Sequence, residues 1–439
     1  MKRLTKIALA LSIGAVVSAP GAVAQNALSA EIDRRAAELE SKVIEWRREI
    51  HQNPELGNRE FKTSKMVAKH LKRLKMDVTT EVAHTGVVGV LVGGKPGPVV
   101  LLRADMDALP VVEQTGSPFA STVRTTYNDQ DVGVMHACGH DTHVAIMMGV
   151  AEMFAAMRDD LPGTIKFVFQ PAEEGAPEGE EGGADMMIAE GLMENPAPEV
   201  AFGLHSSQGW AVGQAGYRAL GAMASSDGLR IRVVGRQTHG AQPWAGIDPV
   251  VTASQIVVAL QGIVSRQIDT TLAPAIVTVA TIHGGVRGNI IPDDVVMTGT
   301  IRAFDTAMRD DIHARIKRIA ENVATANGAT AEVTIRNGTP VVFNDPKLSE
   351  LMRPTFERVL GKDNVQESPM VTGAEDFAYY AEKVPSLFYF IGVRSKDVPR
   401  EKAIPNHSPF FNADEAALVY GMRTMANLAV DYMEMKQEK

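Results

Sequence analysis

The chain has 439 residues, one cysteine and a net charge of −9 at pH 7, from 44 Lys and Arg against 53 Asp and Glu. This acidic balance argues against nucleic acid and anionic membrane surfaces as partners. The length predicts two or three domains with ample core, and one cysteine cannot form an internal disulfide.

The N-terminal segment has the pattern of a secretory signal peptide. The positive residues Lys2, Arg3 and Lys6 precede an apolar stretch over 7–17, and small residues end the segment at Ala24. That stretch is too short to span a bilayer, and we expect no later stretch to approach the necessary length. We therefore expect cleavage near this point, export to a periplasm or the exterior, and a mature net charge of −12.

Helices and strands alternate over the first half of the chain. The predicted helices cover about 27–52, 62–75, 141–157 and 183–190, and the predicted strands cover 87–92, 99–102, 165–170 and 200–205. Short continuous apolar runs of this kind are typical of strands buried on both faces. The alternation predicts an α/β layer structure with a largely parallel sheet, whose active site lies outside the carboxyl ends of the strands.

A different pattern follows the small-residue linker at 221–228. Residues 229–336 are predicted to form strand, helix, strand, strand, helix and strand, which is the split βαβ arrangement. The α/β alternation then resumes and ends in a helix from about Ala413. We therefore predict a catalytic domain over 25–225 and 337–439, with an inserted α+β ferredoxin-like domain over 226–336.

One short segment concentrates side chains that bind metals. Cys138 and His140 are separated by Gly139, just before an apolar helix, so both can reach one centre. A thiolate and a neutral imidazole suit zinc, and also manganese, cobalt or nickel. Taken alone, the pair is better explained by a buried cysteine and helix-capping polar residues, because a metal site needs more than two ligands.

Other candidate ligands follow the predicted strands. Glu173 and Glu174 come after the strand at 165–170, so one carboxylate can bind metal while its neighbour handles a proton. A solvated acidic loop is the alternative. His205 ends another buried strand and His407 lies in a loop near the C terminus. Each histidine alone could be a core residue, but together these groups could supply two metal ions.

Six segments resemble the signature motifs of the M20 family of metallopeptidases and aminoacylases, in particular the branch of hippurate and auxin-conjugate hydrolases. The resemblance extends from about residue 38 to 433. The segments are RREIHQNPEL (47–56), LRADMDALP (102–110), HACGHDTH (136–143), QPAEEG (170–175), TGAEDF (372–377) and the late His407.

The resemblance implies two divalent metal ions, either zinc or manganese, cobalt or nickel. Cys138 would bridge the two ions. Glu173 would be the general base that deprotonates the attacking water and later protonates the leaving amine. The implied metal ligands are Cys138, His140, Glu174, His205 and His407.

The chain departs from the wider family at one position. Where other M20 enzymes carry His-x-Asp, it has Arg103 and Asp105, so the usual histidine ligand is absent. We expect His140 to take that role and Asp105 to orient an imidazole from the second coordination shell. The neighbouring Asp107 could be a simple strand-end cap. The resemblance places Glu375 near the metal site.

The inserted domain resembles the family's lid and dimerisation module, which implies a homodimer. His239 matches a histidine that reaches the partner subunit's site and polarises the scissile carbonyl. Asn289 lies in the family's loop at the substrate, and Arg302 would hold the substrate's carboxylate in a fork geometry. From the residues alone, His239 is better explained as a turn histidine, and Arg302 equally well as an exposed strand arginine.

These features predict a metal-dependent enzyme that hydrolyses the amide bond of a small N-acyl amino acid or similar conjugate. A dipeptidase or carboxypeptidase that uses the same site, acting on short peptides, is the enzymatic alternative. A catalytically dead periplasmic binding protein is the non-enzymatic one. The histidines predicted to be structural are His51, His70, His84, His136, His143 and His283.

Overall fold

The computed structural model describes residues 27–437. The predicted signal peptide and its cleavage site lie outside these residues.

The described part contains nine α-helices and eighteen strands. The helices are α1 (Ala27–Gln52), α2 (Phe61–Arg73), α3 (His140–Ala156), α4 (Gly183–Ala189), α5 (Pro249–Gly262), α6 (Thr306–Ala326), α7 (Pro346–Leu360), α8 (Ala378–Ala381) and α9 (Ala417–Gln437). The strands are β1 (Asp77–Val82), β2 (Gly86–Val92), β3 (Lys95–Asp105), β4 (Arg124–Tyr127), β5 (Gln130–Gly133), β6 (Pro162–Gln170), β7 (Val200–Ala211), β8 (Ala215–Tyr217), β9 (Leu220–Met223), β10 (Asp227–Val234), β11 (Thr238–His239), β12 (Ala275–His283), β13 (Ile290–Ile291), β14 (Asp294–Ala303), β15 (Thr330–Arg336), β16 (Val342–Asn344), β17 (Val365–Glu367) and β18 (Ser386–Arg394).

An eight-stranded sheet in the order β1-β2-β6-β3-β7-β18-β8-β17 forms the centre of the larger unit. The four central strands β6, β3, β7 and β18 pair in parallel, whereas β1 and β2 add antiparallel strands at one edge. All nine residues of β18 are buried, as expected for a strand covered on both faces. The predicted α/β class with a largely parallel sheet is therefore confirmed.

Helix α3 fixes the position of the motif at its N-terminus. It packs against α1, α9 and the sheet, and fourteen of its seventeen residues are buried. A helix that is apolar all round has to be enclosed on every side. The chain segment before α3 is thereby held against the edge of the sheet where the parallel strands end.

The smaller unit is a four-stranded antiparallel sheet in the order β12-β14-β10-β15, with α5 and α6 packed against it. Its chain order is the βαββαβ order expected from the sequence. It has its own core, in which apolar residues of the strands meet those of α5 and α6.

One expectation about this unit is wrong. The helical segment Pro249–Gln267, which is α5 with one further π-helical stretch, is long and apolar enough by length and composition to cross a membrane. A third of it is buried in the smaller unit. The apolar residues of this segment lie on two faces of the helix: one face packs on the sheet, and the other exposes Val250, Val251 and Val258.

Two predicted element ends also differ. Strand β7 does not end at His205 but continues to Ala211, because β18 keeps pairing with it as far as Arg394. Helix α9 begins at Ala417 rather than at Ala413, after a turn whose Asp414 side chain accepts a hydrogen bond from a backbone N–H.

Candidate metal centre

The strand register brings the candidate residues to one edge of the sheet. Asp105 at the end of β3 pairs with Gln170 at the end of β6, and Arg103 pairs with Gly203 of β7. His205 therefore lies at the level where β3 and β6 end. The edge is the one predicted, outside the carboxyl ends of the parallel strands.

The five predicted ligands come together there in two overlapping groups. Within each group the ligand atoms lie within 4.8 Å of one another: one contains Cys138, His140 and His205, the other Cys138, Glu174 and His407. The Cys138 Sγ is 3.4 Å from the His205 Nε2, and the His407 Nε2 is 2.9 Å from the Glu174 Oε1. Because Cys138 belongs to both groups, its position suits a ligand shared by two ions.

Three of the segments that carry the candidate ligands contain a residue in the left-handed backbone conformation. Gly139 has φ +91°, and a Cβ there would lie 2.2 Å from the Ser206 Oγ, so glycine is required between the two ligands that flank it. Ala172, just before the glutamate pair, has φ +50°, and His407 has φ +69°. Such conformations in residues other than glycine are costly and cluster at functional sites.

Hydrogen bonds to the backbone orient the ligands. The His205 Nδ1 donates to the Ser206 carbonyl at 2.8 Å, which leaves its Nε2 free to face Cys138. Asn406 donates to the carbonyls of Cys138 (2.8 Å) and Ser206 (3.2 Å), so it joins the two ligand-bearing segments. Asn406 was not predicted from the sequence, where its one signal is its place next to His407.

Asp107 holds the glutamate pair. Its two carboxylate oxygens accept hydrogen bonds from the backbone N–H groups of Glu173 (3.0 Å) and Glu174 (2.9 Å). Its Oδ1 also lies 3.3 Å from the His140 Nδ1, closer than the 3.7 Å from that nitrogen to Asp105. The carboxylate next to His140 is therefore Asp107, which the sequence analysis had ranked below Asp105.

Asp105 orients a different imidazole. Its Oδ1 accepts from the His143 Nδ1 at 2.5 Å, and the His143 Nε2 accepts from the Ser206 N–H at 2.8 Å. Both nitrogens of His143 are thus engaged, and neither is left for a metal.

Arg103 forms ion pairs with three buried carboxylates near the metal centre. Its fully buried guanidinium pairs with Asp105, with Glu375 at 2.8 Å and with Asp376 at 2.7 Å, and it donates to Gln170 at 2.9 Å. Glu375 lies where the resemblance implied, with a carboxylate oxygen within 4.8 Å of Glu173 and Asp376. The roles of Asp376 and Gln170 were not found from the sequence.

The two neighbouring glutamates have opposite electrostatic surroundings. Burial raises the pKa of Glu173 well above its ordinary value, and the carboxylates of Glu375 and Glu174 raise it further. Burial also acts to raise the pKa of Glu174, but a hydrogen bond from His407 and the charge of His140 outweigh it, and this pKa is lowered. Surroundings that separate the pKa values of a pair are typical of sites where one group is an acid or base and the other is a fixed anion.

The donor set fits divalent metal ions. His140 is fully buried, and neither of its ring nitrogens makes a hydrogen bond within the described residues. Burial raises the pKa of the Cys138 thiol, and the charge of Glu174 adds to this, so the thiolate needs a nearby cation to form. Thiolate, imidazole and carboxylate together suit zinc and related first-row ions.

The three predicted site residues of the smaller unit lie outside this centre. His239 is exposed, and the Gly240 N–H donates to the Asn289 carbonyl at 2.8 Å, which places His239 and Asn289 close together. The half-buried Arg302 is 3.5 Å from the Ser225 carbonyl. None of the three lines the cavity at the metal centre, and their roles stay predictions.

A cavity of about 440 Å³ opens beside the metal centre. Cys138, His205 and His407 line it on the side of the ligands. The rest of its lining combines polar residues, which include Ser206, Ser207, Ser368, Asn406 and Arg400, with the apolar residues Trp210, Met223, Pro369, Val371, Phe390 and Pro405.

Comparisons with known proteins agree on one family. The model described as "Peptidase family M20/M25/M40" matches residues 101–431. Thermostable carboxypeptidase 2 of Saccharolobus solfataricus is 39% identical over 90% of this chain and 96% of its own length. The N-acetyl-L-cysteine deacetylase of Bacillus subtilis is 37% identical over 87% of this chain and 86% of its own. The crystal structure of the Bacillus subtilis YXEP protein, described as a dinuclear metal binding peptidase from the M20 family, has a TM-score of 0.76 and 32% identity, over 91% of this chain and 99% of that one.

Proposed function

Because the chain belongs to peptidase family M20/M25/M40, whose members include metal-dependent amidohydrolases and peptidases, we propose that it hydrolyses the amide bond of small N-acyl amino acids. The lining of the cavity carries this proposal. Its carboxylates are Glu173, Glu174 and Glu375, and all three belong to the metal centre or its support. No carboxylate of the described lining is left to pair with a free α-ammonium group, which favours a substrate whose amine is acylated.

In the proposed reaction, bound metal ions and residues of this chain have separate roles. Bound divalent ions would polarise the scissile carbonyl and lower the pKa of the attacking water. Glu173 accepts the proton of that water and returns it to the leaving nitrogen, for which a raised pKa is suited. His239 donates a hydrogen bond to the developing oxyanion, and Asn289 and Arg302 contact the substrate when the smaller unit closes over it.

Carboxypeptidase activity is the second candidate, because the relative from Saccharolobus solfataricus carries that name. Both reactions cut an amide next to a free carboxylate. They differ in whether a simple acyl group or a blocked peptide lies on the other side of the bond.

A substrate panel separates the two candidates. We expect turnover of N-acetyl and N-benzoyl amino acids, with much weaker turnover of N-blocked dipeptides and of dipeptides with a free amine. Activity should be lost with a chelator and restored by zinc, manganese, cobalt or nickel, and a coupled amine-release assay measures it. Faster cleavage of the blocked dipeptides would favour the carboxypeptidase, and a metal-loaded protein that cleaves nothing in the panel would refute both.

We also propose a homodimer formed by the smaller unit. Its edge strand β12 exposes Ile276 and Ile282, and α5 exposes Val250 and Val258. A dimer through this surface would cover apolar side chains and an open sheet edge, both of which are liabilities in a monomer.

The proposed role of His239 in the partner's site has a direct test. His239→Ala and Glu173→Ala should each be inactive alone, because each lacks one group of every site. After mixing and exchange of subunits, half the dimers are mixed and half of their sites are complete, so about a quarter of the wild-type activity should return. Activity and mass by light scattering are measured together. A dimer that regains nothing argues against the role in trans.

Export is likewise proposed, on the pattern of the first 24 residues. Cell fractionation of the full chain, with the mature N-terminus determined by mass spectrometry, tests it.

A further inference from the structure

Among the described residues that line the cavity beside the metal centre there is one arginine and no lysine, and we propose that this residue, Arg400, binds the free carboxylate of the substrate. The inference rests on the proposed hydrolysis of N-acyl amino acids. It identifies the residue that recognises the free carboxylate of the substrate. Arg400 begins a short 3₁₀ turn, Arg400–Lys402, in the loop between β18 and His407. Of the residues that line the cavity in the described chain, it is the one lysine or arginine.

The Arg400 guanidinium is free to take a ligand. It is exposed, and it makes no ion pair and no side-chain hydrogen bond with any residue of 27–437, although Asp397 and Glu401 are near it in sequence. Arg394, at the start of the same loop, differs: it is buried and donates to the carbonyls of Gln208 (3.1 Å) and Val398. One arginine therefore fixes the loop, and the other is left without a protein partner.

Buried apolar side chains form one wall of the cavity that Arg400 also lines. Trp210, Met223 and Phe390 line it, and each is less than a tenth exposed. The indole is packed tightly, since a Cβ on Gly216 would come within 2.3 Å of it. Arg400 itself is exposed, so a carboxylate of the substrate can reach its guanidinium and bind it through two parallel hydrogen bonds.

The placement also gives the substrate a direction. An apolar acyl group or side chain fits against the aromatic wall, the amide lies at the metal centre, and the carboxylate reaches Arg400. Arg302, to which the family resemblance gives this task, is half-buried on β14 and outside the lining. Arg400 and Arg302 are therefore competing candidates for the residue that binds the substrate's carboxylate.

The test compares an acid with its neutral analogue in the metal-loaded enzyme. The acid is the best N-acyl amino acid of the panel, and the analogue is its C-terminal carboxamide, measured as a competitive inhibitor so that its turnover is not required. In Arg400→Gln, we expect kcat/KM for the acid to fall about tenfold to a hundredfold, mainly through KM, as expected for loss of a charged hydrogen-bonded pair. The Ki of the carboxamide should stay within about threefold of wild type, because it has no charge to lose. Arg400→Lys should recover part of the loss.

Lys402→Gln is the matched control, since it removes a positive charge from the same turn at an exposed residue outside the lining. It should leave both constants unchanged. Equal weakening of acid and carboxamide in Arg400→Gln would overturn the inference, and so would an acid-specific loss seen in Arg302→Gln but not in Arg400→Gln. Wild-type protein that cleaves no N-acyl amino acid refutes the proposed function itself. An active wild type with an unchanged Arg400→Gln refutes this inference alone.

Discussion

Glu173→Gln is expected to lower kcat by about 10²–10⁴-fold while both metal ions stay bound. The variant keeps the shape of the side chain and removes the group that accepts the proton of water. Metal binding should survive because Glu173 is not one of the proposed ligands: its carboxylate lies 3.8 Å from the His140 Nε2, whereas Glu174 lies 2.9 Å from the His407 Nε2. Steady-state kinetics and metal content by emission spectrometry measure the two effects.

Glu174→Gln is the control for this prediction. It changes the neighbouring residue in the same way but removes a proposed ligand, so it should lower metal content as well as activity. Near-normal turnover in Glu173→Gln would rule out its role as the base. Loss of metal in Glu173→Gln, with metal retained in Glu174→Gln, would reverse the two assignments.

Arg103→Met is expected to destabilise the metal-free protein by about 3–5 kcal/mol, the usual cost of removing one partner of a buried ion pair. Methionine keeps much of the length and none of the charge. The fully buried carboxylates of Asp105 and Glu375, together with Asp376, would lose the cation that they share. Urea unfolding of chelator-treated protein at pH 8 measures the cost.

The loss should be smaller at pH 5 than at pH 8. Even beside Arg103, burial raises the pKa of Glu375 to about 8 and that of Asp376 to about 6. Without the arginine both pKa values rise further. A carboxyl with a raised pKa in the folded state stabilises below its unfolded pKa, and this stability is lost as the pH rises through the folded pKa. At pH 5 the Glu375 and Asp376 carboxyls are therefore protonated in the folded variant, and the loss of unfolding free energy is small. At pH 8 they are more ionised, and the loss is larger.

Arg124→Met provides the matched control, because Arg124 pairs with Asp131 at the surface, where both side chains are at least half exposed. Its cost should be far smaller than that of Arg103→Met and independent of pH over this range, because solvent screens an exposed ion pair. If Arg103→Met costs no more than Arg124→Met at pH 8, the buried carboxylates do not depend on the guanidinium.

The sequence determined the class of fold and supplied the candidate metal ligands. Continuous apolar runs alternating with helical periodicity predicted a largely parallel sheet, and the structure confirms it because that periodicity directly reflects which faces are buried. The candidate ligands Cys138, His140 and Glu174 follow strands or precede a helix, and the ends of parallel strands meet at one edge. Local pattern was sufficient for the class of fold, whereas the set of ligands followed only from all the candidate groups taken together and from the family resemblance.

The tertiary structure decided how charges and hydrogen bonds are shared among residues far apart in the chain. Asp107 rather than Asp105 faces His140, and Arg103 collects a carboxylate 273 residues away at Asp376. Of the two arginines near one loop, the buried Arg394 donates hydrogen bonds to backbone carbonyls, whereas the exposed Arg400 makes no ion pair with the described residues. The sequence does not encode such pairings locally, because they depend on the register between strands and on the path of each loop, where a shift of one residue turns a side chain to the opposite face.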